Sequence, residues 1–457
     1  MSSWEAYLKE NQPRFIDELK QLLRFSSISS LPEHAGDVKQ AAEWVAGRLK
    51  AANIENTQVL STGGHPVVYG DWLHAAGKPT IMIYGHFDVQ PVDPLDLWTN
   101  PPFDPIVKDD CIWARGASDN KGNLFLTIVA VEALLQTEGS LPVNLKFFFE
   151  GQEEIGSPQM PEFLPAHKDL FACDMVVSAD GGQWDENQPQ LLVGLRGLSA
   201  VQIDVRSARQ DVHSGSYGGT FLNPIHGLAR IIDSMRDSDG KILVEGFYDS
   251  VRTLSDTERE QIATIPYTED DFKDEIGIPE TAGEPGFTTY ERMWVRPTLD
   301  VNGIWGGFQG EGLKTVIPSV AHAKISCRLV PDQDPGRIIE LLVAHVKKHS
   351  PAGVKVVVNP VDSKAEPYLI PSDHIGNQAA VSVLKKLYDK DPYHARMGGT
   401  IPVCSILLKA LDAYTVNFAF GLKDENIHAP DEFFRLKSFE LGQKAYCMLL
   451  HELGEMN

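Results

Sequence analysis

Groups able to ligate a metal or move a proton recur at the ends of apolar runs in Tyr84-Gly85-His86-Phe87-Asp88-Val89-Gln90-Pro91, Gly116-Ala117-Ser118-Asp119-Asn120-Lys121-Gly122, Glu150-Gly151-Gln152-Glu153-Glu154-Ile155-Gly156 and Val176-Val177-Ser178-Ala179-Asp180-Gly181. An open α/β sheet presents such groups to a crevice at the carboxyl ends of its strands. With His428 added, His86, Asp119, Glu154 and Asp180 make two imidazoles and three carboxylates, without a thiolate. That donor set suits two divalent cations, zinc foremost with manganese or cobalt as alternatives, and the chemistry is hydrolysis by metal-activated water. Burying five such groups without a cation would be costly. Asp119 lies centrally among the strand ends and is expected to be the carboxylate that both ions share.

Glu153 stands beside a proposed ligand yet points elsewhere. A carboxylate next to an activated water accepts its proton during attack and delivers it to the leaving amine, so Glu153 is the expected general base. Asp88, two residues beyond His86 in the same extended stretch, is placed to hold the second ring nitrogen and fix the tautomer.

These groups need a scaffold. At 457 residues the chain exceeds the usual ceiling for one core, which argues for two domains. A formal charge of −22 argues against nucleic acid or an anionic membrane as partner. The five cysteines (Cys111, Cys173, Cys327, Cys404, Cys447) are odd in number, scattered and never in a CxxC arrangement, so neither a disulfide framework nor a thiolate zinc site is indicated. The first 25 residues are amphipathic rather than continuously apolar, unlike a signal peptide. No run approaches the roughly 18 apolar residues of a spanning helix, and a cytoplasmic location is expected.

Apolar spacing predicts helices up to Phe25 and over Asp37 to Ala52, then strands over 57–61, 67–72 and 80–88. The proline- and aspartate-rich stretch from Pro91 to Asp110 reads as an ordered loop. Asn123 to Leu135 is apolar nearly all round and should be a buried helix behind the sheet. Val143 to Phe149 and Met175 to Ala179 have the continuous apolar pattern of strands covered on both faces. From about Gln190 the pattern changes, and Val201 to Arg206 alternates as in a sheet with one wet face. Asn223-Pro224 and Asp334-Pro335 each mark a helix start. Asp237 to Arg292 reads as a charged, irregular excursion with one short helix near Asp256 to Thr264. The last segment returns to the first pattern, with a helix from His374, a strand from Thr415 and a helix from Phe434. The fold class is α/β: residues 1–190 and 366–457 form a discontinuous catalytic domain with a mixed, largely parallel sheet sandwiched by helices, and 191–365 form an inserted α+β domain.

The His86–Pro91, Ser118–Gly122, Glu153–Gly156 and Ala179–Gly181 motifs resemble those of the di-metal exopeptidase family that contains carnosinase-type and non-specific dipeptidases, aminoacylases, acetylornithine deacetylases and glutamate carboxypeptidases. Asn426-Ile427-His428-Ala429-Pro430-Asp431-Glu432 fits the family's C-terminal histidine ligand. The resemblance extends over most of the chain and implies that one ion takes His86, Asp119 and Asp180, and the other Asp119, Glu154 and His428. It also makes the inserted domain a lid through which the chain forms a homodimer. Asp211-Val212-His213-Ser214-Gly215 resembles the dipeptidase branch most closely, where the lid histidine reaches the partner subunit's site to polarise the scissile carbonyl. Lys314-Thr315-Val316-Ile317-Pro318 and Cys327-Arg328-Leu329-Val330-Pro331 look like that branch too. In it the arginine binds the substrate carboxylate, and the loop resembled by Gly398-Gly399-Thr400-Ile401-Pro402 closes over the same group, with Thr400 at a position often held by serine. Thr315, Gly399 and Thr400 are thus implied to touch substrate alongside Arg328.

The implied reaction is hydrolysis of an amide bond in a dipeptide or short peptide with a free C-terminal carboxylate. A rival keeps the chemistry and makes the chain a deacylase of N-acyl amino acids. A rival from another class, a non-catalytic binding scaffold, predicts loss of a ligand or of the base, and all six residues are present.

Overall fold

The computed structural model describes residues 2–361, 364–399 and 401–456. Contacts group the chain into two compact units, one of Met1–Val193, Ile370–Ala395 and Ile401–Asn457, the other of Gly194–Leu369 and Arg396–Thr400.

The sheet of the first unit runs in the order Glu55–Leu60, Val67–Trp72, Asn144–Glu150, Thr80–His86, Met175–Ser178, Thr415–Asn417, Gln190–Leu195. Its four central strands, from Asn144–Glu150 to Thr415–Asn417, are mutually parallel, and antiparallel strands flank them. This is the expected mixed α/β sheet. The helix Asn123–Glu138 packs against Ser3–Leu23 and Leu436–Glu455 and is buried without interruption from Asn123 to Leu134. Burying leucine and phenylalanine side chains such as these contributes roughly 1.5–3 kcal/mol each. The approach to this helix is tight at Gly122, where a Cβ would stand 2.2 Å from the Ala117 carbonyl oxygen and 2.6 Å from Phe434 Cδ1. A side chain at 122 would force the Asp119 turn and Phe434 apart.

The second unit holds a four-stranded antiparallel sheet in the order Asp300–Gly306, Val320–Leu329, Gly197–Arg206, Lys355–Pro360. Helices Pro224–Asp233 and Pro335–His349 cover one face, where Val201, Ile203, Val205, Ala323, Ile325 and Cys327 join a single apolar cluster. Asn223 Oδ1 accepts from Ile225 N at 2.9 Å and Asp334 Oδ1 from Arg337 N, so both expected caps form.

Four local expectations need correction. The Pro91–Asp110 stretch contains the strand Ile106–Lys108, paired with Cys111–Trp113 and through it with Phe433–Arg435. Gly197–Arg206 is one ten-residue strand that begins earlier than expected, because its register with Val320–Leu329 carries the ladder back to Gly197. The charged excursion holds three helices, Asp256–Ala263, Glu269–Ile276 and Thr289–Val295, each opened by a capping box at Ser255, Thr268 or Thr288. Helix Pro402–Leu411 was not foreseen. No helix among the described residues is long and apolar enough to cross a membrane.

Candidate active site

Parallel neighbouring strands bring their carboxyl ends to one edge of the sheet, and the site residues follow from that. Thr80–His86 ends on His86 itself, Asn144–Glu150 runs into the turn bearing Glu153 and Glu154, and Met175–Ser178 is followed by Asp180. Asp119 sits in the turn before the buried helix, at φ −116° and ψ 94°, which breaks the helical course. His428 lies in the loop between Thr415–Asn417 and Phe433–Arg435.

These side chains converge. His86 Nε2 is 3.1 Å from Asp119 Oδ1, and His428 Nε2 is 3.0 Å from Asp119 Oδ2 and 3.2 Å from Glu154 Oε2. Ligand atoms of His86, Asp119 and Asp180 lie within 4.8 Å of one another, as do those of Asp119, Glu154 and His428. Asp119 is common to both groups. The Glu153 carboxyl belongs to neither and makes no hydrogen bond among the described residues. Asp88 is fully buried; its Oδ1 lies 3.4 Å and its carbonyl oxygen 3.2 Å from His86 Nδ1. Its carboxylate also accepts from the main-chain N–H groups of Glu153 at 3.2 Å and Glu154 at 3.1 Å, so one side chain orients both the histidine and the acid-bearing turn.

Packing this many acids together distorts their titration. Burial, followed by the charges of Asp119 and Glu154, pushes Asp180 up to about 7, although His86 opposes it. Burial pushes Glu153 well above the usual carboxylate range, with Asp180, Glu154 and Asp119 adding to the effect. Hydrogen bonds to Asp119 and Glu154 raise His428 to about 10. Burial alone would lower His86, but Asp119 and Asp88 outweigh it and hold the ring's pKa well up. For Asp119, bonds from both histidines overcome burial and hold its carboxyl low. The oxygen and imidazole donors gathered here fit a pair of divalent cations.

In the second unit, Val212–His213 forms a short ribbon with Val316–Ile317, which sets His213 opposite Val316 and next to Thr315. His213 is exposed, and its Nδ1 accepts from Gly215 N at 3.0 Å. Arg328 lies on Val320–Leu329, its main-chain N–H donating to Thr298 Oγ1 at 3.3 Å. Gly398, beside Gly399, takes a hydrogen bond from Arg196 Nε at 3.2 Å through its carbonyl. Thr400, expected on the same loop, lies outside the described residues.

Residues 82–452 match the family model for peptidase family M20/M25/M40. The chain is 32% identical to the Cys-Gly metallodipeptidase dug1 of Schizosaccharomyces pombe, across 98% of both proteins. This chain belongs to peptidase family M20/M25/M40. The peptidase is also 28% identical to human Beta-Ala-His dipeptidase, over 99% of this chain and 92% of that one. Among solved structures it resembles the M20 family metallo-carboxypeptidase of Sulfolobus solfataricus, with a TM-score of 0.83 and 31% identity over 97% of this chain and 99% of the other. It is an enzyme of the metallopeptidase class.

Several residues that organise the candidate site carry no periodic sequence signal of that role. Glu432 is buried, and its carboxylate accepts from Arg115 Nη1 at 2.7 Å, Gly116 N at 2.9 Å, and Ser118 N and Asp119 N at 3.0 Å. Glu425, also buried, accepts from Ser118 Oγ at 2.6 Å and Leu422 N at 2.9 Å. These two acids flank His428 in sequence and bolt its loop to the turn that carries Asp119. Asn120 spans two strand ends, accepting from His86 N at 3.2 Å and donating to the Ala179 carbonyl at 2.7 Å. Gln90 donates to Glu154 Oε2 at 2.9 Å. A loop acid has no periodic signature; the available signal was its position within the histidine motif.

The titration shifts predict how the metal-free peptidase responds to pH. Asp180, raised to about 7 from 3.8, keeps in the folded state a proton that the unfolded chain releases, so its contribution is lost as pH rises through 7. His86 and Glu153, also raised, act with the same sign, whereas lowered Asp119 matters only in strong acid. Chelator-treated protein should therefore lose stability between pH 5 and 8, on the order of 2–3 kcal/mol from Asp180 alone. Added zinc should stabilise it more at pH 8 than at pH 5. Thermal midpoints at the two pH values check this, and equal metal-free stability at both would contradict it.

Proposed function

We propose that the protein is a dipeptidase using two divalent cations, zinc foremost, to hydrolyse amide bonds in dipeptides or short peptides with a free C-terminal carboxylate. The observation that carries this reading is one carboxylate, Asp119, common to two groups of ligand atoms, with a separate acid, Glu153, beside them. His86, Asp119 and Asp180 would hold one ion, and Asp119, Glu154 and His428 the other. The names of the relatives, Cys-Gly metallodipeptidase and Beta-Ala-His dipeptidase, support dipeptides as the substrate class.

When bound, such a pair supplies Lewis acidity that acidifies water and polarises a carbonyl. Glu153 takes the proton of the attacking water and returns it to the departing amine nitrogen; its raised pKa suits a group that must hold a proton between those events. Asp88 keeps His86 in one orientation. Arg328 pairs with the terminal carboxylate in a bidentate manner, assisted by Gly399 and Thr400, with Thr315 touching substrate beside His213. His213 of the second subunit donates to the oxyanion.

The inserted unit serves as lid and dimerisation domain. Among the described residues Asp300–Gly306 is an edge strand paired with Val320–Leu329, and Ile304 (55% exposed), Trp305 and Val301 lie open on it. Nearby in sequence, Leu313 is 91% exposed. An apolar open edge is a liability that a second copy relieves. A cytoplasmic location accords with five free cysteines.

The test is a panel of dipeptides against acetyl and succinyl amino acids, with metal content measured on the same protein. Turnover of the acylated compounds alone would transfer the reading to a deacylase. For the histidine, equal amounts of His213→Ala and Glu153→Gln subunits should regain about a quarter of wild-type activity, since half the dimers are mixed and each holds one intact site. Action within a single subunit would restore nothing.

A further inference from the structure

The sheet of the second unit has one face packed on its helices, and Arg328 lies on the other. Buried residues alternate at 197, 199, 201, 203 and 205 and at 321, 323, 325, 327 and 329, leaving Arg328 and its register partner Leu198 on the opposite side. Arg196, two residues before Leu198, donates from its main-chain N–H to the Met397 carbonyl at 3.2 Å and from Nε to the Gly398 carbonyl at 3.2 Å. Burial lowers the Arg196 pKa to about 10, with the charge of Arg328 adding to the effect and Asp300 opposing it, so the two guanidiniums lie within each other's field.

Arg196 also lines a cleft of about 400 Å³ in the same unit, which Arg236, Arg292 and Arg296 enter from other segments. Two carboxylates, Glu284 and Asp300, face it as well. Glu284 is taken by Arg296 in a bidentate pair at 2.8 and 2.7 Å. Asp300 stands 3.8 Å from Arg236. Among the described residues, Arg292 meets neutral acceptors, the carbonyls of Glu284 at 3.1 Å and Ala282 at 3.4 Å. Among the described lining groups four guanidiniums stand against two carboxylates, in a chain whose net charge is −22. Like charges gathered in a partly dry cleft are unfavourable unless an anion joins them, and guanidiniums bind carboxylates with matched geometry. Thr298, whose hydroxyl accepts from Arg328 N, lines the same cleft and links it to that arginine.

We propose that this cleft is a second anionic subsite beside Arg328 and takes the side-chain carboxylate of an aspartate or glutamate at the substrate's C-terminal position. The proposal rests on the reading of Arg328 as the ligand of the terminal carboxylate. The space suits such a side chain, lying within the usual range for small-ligand pockets.

The experiment compares Ala-Glu, Ala-Gln and Ala-Leu on the metal-loaded enzyme at physiological salt, which suppresses long-range steering. A charge-assisted hydrogen bond predicts kcat/KM for Ala-Glu about tenfold or more above Ala-Gln, mostly through KM. In the Arg236→Gln/Arg292→Gln double variant that ratio should fall toward one. Equal kcat/KM for the Glu and Gln peptides in the wild type, or an unchanged ratio in the variant, would overturn the subsite while leaving dipeptide hydrolysis standing. Calorimetric titration with glutarate and glutaramide decides the subsite even if no dipeptide is cleaved. Glutarate binding that is lost in the double variant supports it, and absence of glutarate binding to the wild type overturns it.

Discussion

Glu153→Gln should abolish nearly all turnover, with a fall in kcat of about 10²–10⁴ as expected for loss of a positioned general base, while metal stoichiometry stays at the wild-type value. The expectation follows from geometry. Glu153 lies outside both groups of ligand atoms, and its main-chain N–H, rather than its side chain, anchors the turn through Asp88. An amide at this position has almost the same shape and keeps the turn, yet cannot take a proton from water. It also removes an acid whose pKa burial and three neighbouring carboxylates push up, so the metal-free variant should be no less stable than the wild type. Steady-state kinetics with metal analysis on the same preparation checks both halves. Turnover within threefold of wild type would assign the proton to another group, and loss of metal would make Glu153 a ligand instead.

The second large effect is expected at a residue that holds the main chain of Asp119 without belonging to either group of ligand atoms. Glu432→Ala leaves the Arg115 guanidinium, itself 1% exposed, without its carboxylate, and strands the N–H groups of Gly116, Ser118 and Asp119. Breaking a buried pair by deleting one partner costs about 3–5 kcal/mol, because the remaining charge stays desolvated. Among the described residues, the Arg115 guanidinium then keeps its bond to the Pro91 carbonyl at 3.1 Å and its place over the Trp98 ring. Since the same carboxylate sets the main chain at Asp119, metal affinity should fall by about 10–100-fold, as for other groups that orient ligands. Urea denaturation of the metal-loaded protein and competition titration with a chromogenic chelator measure the two effects separately. Glu432→Gln, which keeps an acceptor and the shape, should lie between wild type and Ala in both. Wild-type metal affinity in a destabilised Ala variant would confine Glu432 to a structural role.

How each feature writes itself into sequence decides whether it is legible there. Buried parallel strands leave continuous apolar runs, so the strands ending near His86, Glu150 and Ser178 were legible, and so were the acids and imidazole just past them. The buried helix after Gly122 announced itself because no face of it needs water. Capped starts at Asn223 and Asp334 were legible for a local reason, a side chain bonding its own next turn. The helices after Thr268 and Thr288 carry equally local capping signals, but their polar, charged composition masked them. Glu425 and Glu432 were beyond reach for a different reason. Their partners Ser118, Arg115 and Asp119 are some 300 positions away in the chain, and an acid in a loop looks solvated until the fold closes over it.

The strand Thr415–Asn417 lies between Met175–Ser178 and Gln190–Leu195, although more than 200 residues separate it from either. During synthesis, the ribosome therefore releases Met175–Ser178 long before its neighbour exists, with the carbonyl and amide groups along one side unpaired. Unpaired strand edges recruit foreign strands, so this gap leaves the nascent chain with an edge open to aggregation until Thr415–Asn417 fills it.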